Sequence, residues 1–247
     1  MSVVSMQANV TVPHLMDFCS HLITPRTFID SALIASQYQS DNSFENSSST
    51  SSEQHFIEMP SSPSEFSQYN FDKSIEIADD QHIQPIAETI TVLLSISMPN
   101  LLTIIPETGE MALTDEGVTM SAKVKHFFQF VRQYSKLTIG ELLHITVLLT
   151  RLLSNEAELI RDGKVSIVSE ANLGTLLLCS TLIAVKMERD IPYRNSWWAK
   201  MFGVPLHILN QSERIFLQKI DYNCTVSDGE FLDMYQKFIM NTDTPDE

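Results

Sequence analysis

Residues that could do chemistry are few in this 247-residue sequence, and none of them forms a known catalytic pattern. The seven histidines are dispersed, and no two of them stand at the spacing of metal ligands. There is no glycine-rich phosphate loop, no G-x-S-x-G, no H-E-x-x-H and no closely spaced cysteine pair. Because the apolar segments also contain few polar residues, the sequence predicts a protein that is not an enzyme and needs no cofactor or metal.

Two charged residues nevertheless interrupt apolar helical faces. Lys186 follows Leu182 by four residues, and Glu213 precedes Phe216 by three and Leu217 by four. A charge on a buried face is costly unless it is paired. Two interpretations are open at this point. Lys186 and Glu213 either pair with each other or reach water past the helix ends, or they lie at the rim of a docking surface and bind a partner.

Three other residues also allow two interpretations. His144 lies within an apolar helical stretch, where a hydrogen-bonded core histidine is a better expectation than a ligand. The adjacent Trp197 and Trp198 are either core side chains or anchors of a protein contact.

Helical periodicity dominates the chain from Pro85 onward, and no strand with a period of two residues competes with it. Thr138–Glu141 and Ser227–Glu230 match the capping box that starts a helix. The predicted helices run from Pro85 to before Pro99, from about Ser121 to Ser135, over Leu142–Leu153, from a Ser169 cap to Met187, from an Asn195 cap to Gly203, from Pro205 to about Ile220, and from Ser227 through Phe238. The segment ending at Met187 is apolar on nearly all sides, which places it at the centre of a helical bundle. Glu107–Glu116 is expected to be an acidic loop and Asn155–Val168 a polar connector.

The net charge of −15 lies almost entirely outside the helical core. Residues 1–75 carry −6 and are expected to form a disordered, serine-rich acidic arm, since they cannot bury enough apolar area to offset ordering. Residues 76–118, a lead-in helix and an acidic loop, carry −8; the helical domain at 119–240 carries +2, and the acidic tail at 241–247 carries −3. The absence of a basic stripe argues against nucleic acid as a partner. The longest strongly apolar run, Thr175–Val185, is too short to span a membrane.

Cysteine usage indicates the compartment. Cys19, Cys179 and Cys224 are odd in number and far apart, as expected for reduced thiols. Met1–Val12 has no basic start followed by an apolar run, so no secretory signal is expected. The predicted location is therefore the nucleus, the cytoplasm or both.

From about Val124 to Phe238 the sequence resembles a cyclin box, most closely the single box of the P/U type that is related to phosphate-pathway cyclins. The matching stretches are Asn172–Lys186, Tyr193–Gly203, Val204–Glu213 and Phe216–Asp221, in the order and spacing of the family. The helix before Pro99 is similar to the lead-in helix of that family. The resemblance implies an all-α fold, a five-helix cyclin box with flanking N- and C-terminal helices.

The resemblance also implies a function. A cyclin is a regulatory subunit that binds and activates a cyclin-dependent protein kinase as a heterodimer, without a cofactor, nucleic acid or membrane. In the family a lysine at the end of the third box helix and a glutamate in the fifth contact the kinase near its C-helix, and Lys186 and Glu213 match them by position. The alternatives are a cyclin-fold scaffold in transcription, a cyclin that binds a kinase without activating it and, last, an enzyme with an unrecognised site.

Overall fold

The structure is a computed structural model that describes residues 74–106 and 108–240. Over these ranges the chain forms α1 (Asp80–Leu94), β1 (Leu102–Ile104), β2 (Met111–Leu113), α2 (Asp115–Ser135), α3 (Ile139–Arg161), α4 (Leu173–Glu188), α5 (Asn195–Phe202), α6 (Leu206–Lys219) and α7 (Asp228–Phe238). Single 3-10 turns precede β1 and α4. The predicted all-α fold, five box helices flanked by one helix on each side, is confirmed. The predicted arm, apart from Ser74 and Ile75, and the predicted tail lie outside the described residues.

The centre of the bundle is α4, as its composition predicts. Every residue from Leu173 to Val185 is buried, with α3 along one side and α6 and α2 on others. The stretch Glu170–Glu188 is long and apolar enough to cross a membrane by length and composition alone, yet 78% of it is buried inside the protein. Its apolar character is therefore explained by burial against the surrounding helices.

Both predicted capping boxes are confirmed. The Thr138 hydroxyl accepts a hydrogen bond from the Glu141 amide at 3.2 Å, and the Glu141 carboxylate accepts one from the Thr138 amide at 2.9 Å. Ser227 and Glu230 make the same reciprocal pair at 3.3 and 3.0 Å. These contacts satisfy amide groups that have no partner inside α3 and α7.

Two helices begin earlier than the sequence predicts. The Asp79 carboxylate accepts from the amides of Gln81 and His82, so α1 starts one turn before Pro85, which lies inside the helix. The Thr114 hydroxyl accepts from the Gly117 amide at 3.0 Å, so α2 starts at Asp115 within the predicted acidic loop. In both cases a short polar side chain caps a turn that carries no apolar periodicity.

The predicted connector at Asn155–Val168 is also shorter in the structure, because α3 continues to Arg161. Glu156, in this added turn, is fully buried. Its Oε2 accepts from the Ile167 amide at 2.7 Å, and Lys219 Nζ lies 3.0 Å from its Oε1. The polar residues that suggested a connector thus anchor the following loop and α6 to the end of α3.

The expectation of no strand is wrong at one place, the predicted acidic loop. β1 and β2 form an antiparallel hairpin in which Leu102 pairs with Leu113 and Ile104 with Met111. The turn includes Gly109 with φ of +71°, a conformation that glycine adopts without strain. Strands of three residues are too short to show a period of two in the sequence.

The final helix is joined to the bundle by Arg151 of α3. Its guanidinium donates to the carbonyls of Asn223 and Thr225 at 2.8 and 2.9 Å, and to Glu230 Oε1 at 2.7 Å. The hydrogen bond from the Ser227 backbone, followed by the one from Arg151, lowers the pKa of Glu230 to about 2. The ionised Glu230 carboxylate is therefore favoured by the fold.

This depressed pKa predicts a pH dependence of folding. A carboxylate whose pKa falls from 4.5 in the free residue to about 2 in the fold stabilises the fold fully above pH 4.5. That contribution is lost as the pH falls from 4.5 towards 2. Glu230→Gln should flatten the pH dependence of the unfolding free energy over this window, measured by denaturant titration. Asp233→Asn controls for loss of one negative charge on α7, and identical slopes for wild type and Glu230→Gln would contradict the prediction.

Candidate functional site

The two charges predicted from the apolar stripes meet where α4 ends beside α6. Lys186 Nζ lies 2.5 Å from Glu213 Oε1. The Lys186 side chain is 34% exposed and that of Glu213 is 14% exposed. Of the two interpretations that the sequence left open, the mutual pair is therefore present, and it lies at the surface rather than inside the core. A docking role for the same two residues stays a prediction.

Asn195 completes this pair, although the sequence suggested a different role for it. Asn195 is the first residue of α5 and not its cap; Arg194 holds the cap position and makes no side-chain capping bond. The Asn195 amide group donates to Glu213 Oε2 at 2.6 Å and to Asn210 Oδ1 at 2.8 Å. Both Glu213 oxygens thus have partners, which fixes the carboxylate between α4 and α5. Asn195 is 18 residues from Glu213, and no spacing rule in the sequence connects them.

Apolar side chains beside Lys186 are left open to solvent. Met187 is 50% exposed, and Ile191, in the loop between α4 and α5, is 91% exposed. An isoleucine with so little packing contributes almost no burial energy to the free protein. Exposed apolar groups next to a charged pair are a composition typical of protein contact surfaces.

The end of α4 is held by a second, more deeply buried ion pair that the sequence analysis missed. The Arg189 guanidinium binds the Glu141 carboxylate through Nε and, at 2.8 Å, through Nη2; Nη2 also donates to the Ser135 carbonyl at 3.0 Å. The hydrogen bond to Glu141 is the main cause of a raised pKa of Arg189. Since Glu141 also caps α3, one buried carboxylate orders the start of α3 and the end of α4. Arg189 and Glu141 are 48 residues apart, and no spacing in the sequence connects them.

His144 is a hydrogen-bonded core histidine, as predicted. It is 3% exposed, with Nδ1 2.6 Å from Glu188 Oε1 and Nε2 2.9 Å from the Cys224 carbonyl. The ring thereby joins α3 to the last residue of α4 and to the loop after α6. Both ring nitrogens are occupied, so His144 has a positioning role in the fold.

The two tryptophans have different environments. Trp198 is buried in the core, whereas Trp197 is half-buried and stacks on Tyr193 with ring centroids 4.2 Å apart. The Arg189 guanidinium lies 5.5 Å from the Tyr193 ring centre. Trp198 is therefore a core residue, and the Trp197–Tyr193 stack braces the loop that carries Ile191.

Nothing at this corner resembles a metal or nucleophile site. Over residues 74–106 and 108–240 no cluster of three His, Cys, Asp or Glu side chains could hold a metal ion. Burial, with Glu213 nearby, raises the pKa of the Cys179 thiol. That thiol stays protonated and unreactive at neutral pH. The chemistry available at this corner is recognition by charge and apolar contact.

The fold defines a class of protein, an all-α helical bundle, and this corner of it carries a surface ion pair and exposed apolar side chains. A model of the cyclin family matches residues 29–224, more than half of the chain, and the chain belongs to the cyclin family. Residues 29–73 of that match lie outside the described part of the structure. A search among curated proteins gave no match.

The buried pair at the end of α4 gives a stability prediction. Arg189→Ala leaves Glu141 charged and almost fully buried, so we expect a loss of about 2–4 kcal/mol in the free energy of unfolding. Arg161→Ala removes an arginine that is 75% exposed and 3.8 Å from Glu158, and should change stability by less than about 0.5 kcal/mol. Denaturant titration measures both. Equal stabilities of the two variants would show that the Arg189 pair does not hold the corner.

Proposed function

We propose that this cyclin is a regulatory subunit that binds and activates a cyclin-dependent protein kinase as a heterodimer. The observation that carries the proposal is the Lys186–Glu213 pair, which lies at the surface where α4 ends against α6. The two residues match by position the family's kinase-contacting lysine and glutamate. In the free protein they neutralise each other; in the complex they are free to bind groups of the kinase.

The geometry of the pair suits exchange of partners. Lys186 has three donor hydrogens and Glu213 has four acceptor positions, so each can keep its present contact and accept another. Only 34% of the Lys186 side chain is still exposed, so little desolvation remains to be overcome when the kinase docks. Met187 and Ile191 supply apolar area beside the charges. A small number of such residues normally carries most of the binding energy of an interface.

Activation follows from selective binding. A kinase needs its catalytic lysine–glutamate pair and its activation loop in place. A cyclin that binds this active arrangement more tightly than the inactive one shifts the kinase population towards the active state. The size of the shift is set by the ratio of the cyclin's affinities for the two states. A rigid corner performs this better than a flexible one, because a flexible surface adapts to both kinase states. The Arg189–Glu141 and His144–Glu188 contacts supply such rigidity.

The finer assignments also belong to the proposal. The stretches Asn172–Lys186 and Tyr193–Gly203 resemble the P/U type, which supports a role in phosphate-related or cell-cycle signalling. The odd number of widely spaced cysteines supports a location in the nucleus, the cytoplasm or both. A transcription scaffold is less favoured because the box carries only +2 net charge. A cyclin that binds without activating is the closer alternative and is separated by the assay below.

The test begins with the full-length chain captured from its own cells with its partners. We expect a protein kinase to co-purify and to phosphorylate substrate faster with the cyclin than without it. In Lys186→Ala/Glu213→Ala we expect kinase affinity to fall at least tenfold, about 1.4 kcal/mol. The matched control is Lys123→Ala/Glu170→Ala, which removes a surface pair with the same 2.5 Å separation beyond the other end of α4. Equal affinity for both double variants would contradict the assigned roles.

A charge reversal separates docking from structure. Lys186→Glu/Glu213→Lys keeps an internal pair of opposite charges but inverts the polarity that the kinase meets. We expect wild-type thermal stability together with loss of kinase binding. If binding survives the reversal, the pair only joins α4 to α6. Binding without acceleration of phosphate transfer would instead support a non-activating cyclin.

A further inference from the structure

The β1–β2 hairpin lies apart from the kinase-docking corner. It joins α1 to α2, and its neighbours are the end of α1 and the first turn of α2. The 3-10 turn before β1 lies near Lys123 of α2 and near Glu170, which comes just before α4. Lys186 lies 13 residues further along α4 from Leu173, about 20 Å at 1.5 Å per residue. Within the described part of the chain, the hairpin is thus a surface separate from the Lys186 corner.

The outer edge of β1 offers unpaired backbone groups. The Leu101 carbonyl accepts from the Thr114 amide, and the Ile105 amide donates to the Glu110 carbonyl. Leu102 and Ile104, the residues in alternating positions, therefore point their amide and carbonyl groups away from β2. Within residues 74–106 and 108–240, these two residues make no backbone hydrogen bond outside the hairpin. Their groups recur every second residue, about 6.6 Å apart, which is the spacing that another strand would match.

A groove of about 270 Å³ runs beside this edge. Ser95 and Pro99 form one wall, and Leu102, Ile104 and Met111 contribute to the other. Ile104 and Met111 are each 66% exposed and are cross-strand partners, so their side chains form one apolar patch. An exposed edge next to an apolar patch is the arrangement that proteins use to bind an extended segment as an added strand.

The negative charge around the groove determines which kind of peptide segment can bind there. Residues 76–118 contain eight acidic residues and no lysine or arginine. Glu110, Asp115 and Glu116 are exposed. Lys123, which lines a pocket together with Asp115 and Glu116, is paired with Glu170 at 2.5 Å. A segment bound here meets an uncompensated negative field, which favours lysine and arginine.

We propose that the open edge of β1 binds an extended, basic segment of another protein as an additional antiparallel or parallel strand. Backbone hydrogen bonds to Leu102 and Ile104 give affinity, Ile104 and Met111 hold apolar side chains, and the acidic surroundings hold the basic ones. The residues before 76 carry −6 and a second copy carries −15, so both are repelled by this surface. The proposal does not rest on kinase binding, because the two surfaces share no residue.

The test uses the full-length chain and a synthetic probe, an acetylated heptapeptide of alternating lysine and valine. We expect it to slow hydrogen exchange at the Leu102 and Ile104 amides at least tenfold, followed by NMR. A glutamate–valine peptide should not do so, and proline at the central valine should weaken binding because it lacks the donor. Ile104→Ala/Met111→Ala should weaken peptide binding at least tenfold. Val118→Ala, which truncates a residue 57% exposed on α2, is the matched control and should leave it unchanged.

Four outcomes would overturn the proposal. The first is no peptide-dependent protection at Leu102 and Ile104. The second is equal binding of the glutamate–valine peptide, which would remove the charge argument. The third is slow exchange of these two amides in the monomeric, peptide-free chain, which would mean that another segment of the same chain covers the edge. The fourth is a dimer that Ile104→Ala/Met111→Ala abolishes, which would make a second copy the occupant. None of these results affects kinase binding at the Lys186 corner.

Discussion

The burial of α4 on every side is the constraint on which the rest of the structure depends. From Leu173 to Val185 no residue reaches solvent, and polar groups such as Thr181 satisfy themselves by donating to the Leu177 carbonyl one turn earlier. A helix of this kind must be surrounded by others, which requires the neighbouring helices of the box. It also confines the charged side chains of α4, Lys186 and Glu188, to the end of the helix. Lys186 is the first exposed residue after this run, so it is the first side chain of α4 that a partner could reach.

Three side-chain contacts at that end of α4 differ in how deeply they are buried. Arg189 binds Glu141, Glu188 binds His144, and Lys186 binds Glu213. Glu141 and His144 are nearly completely buried, whereas Lys186 is one-third exposed. Breaking the Arg189 pair leaves the Glu141 charge without solvent, and breaking the His144 contact leaves a buried ring nitrogen without a hydrogen-bond partner, so the first two contacts stay closed. The surface pair costs far less to rearrange. The end of α4 is thus held in place by the Arg189 and His144 contacts, while the Lys186–Glu213 pair can exchange partners.

Sequence reasoning succeeded where the physics is local and failed where it is not. The central helix and the two capping boxes depend on side chains within four residues of each other, and each was predicted from spacing alone. The apolar helical faces that contain Lys186 and Glu213 were also identified from the sequence, because a single charged residue interrupts each regular apolar pattern. Arg189 and Glu141 are 48 residues apart, and only the packing of α3 against α4 joins them. The hairpin was missed for another reason, since its six paired residues are too few to display a period.

The two proposed contacts, the kinase at Lys186 and a basic segment at the hairpin, differ in the physics of recognition. At Lys186 the charges are already neutralised, so binding there depends on side-chain geometry and discriminates one folded surface from another. At the hairpin the available groups are backbone amides and carbonyls among acidic side chains. They select a partner segment by its extended conformation and its positive charge rather than by the shape of its side chains. The separation of about 20 Å along α4 keeps the two contacts from competing for the same residues. A kinase bound at Lys186 and a basic segment bound at the hairpin would therefore be held on one helical bundle, where the basic segment's effective concentration near the kinase is raised without any contact between them.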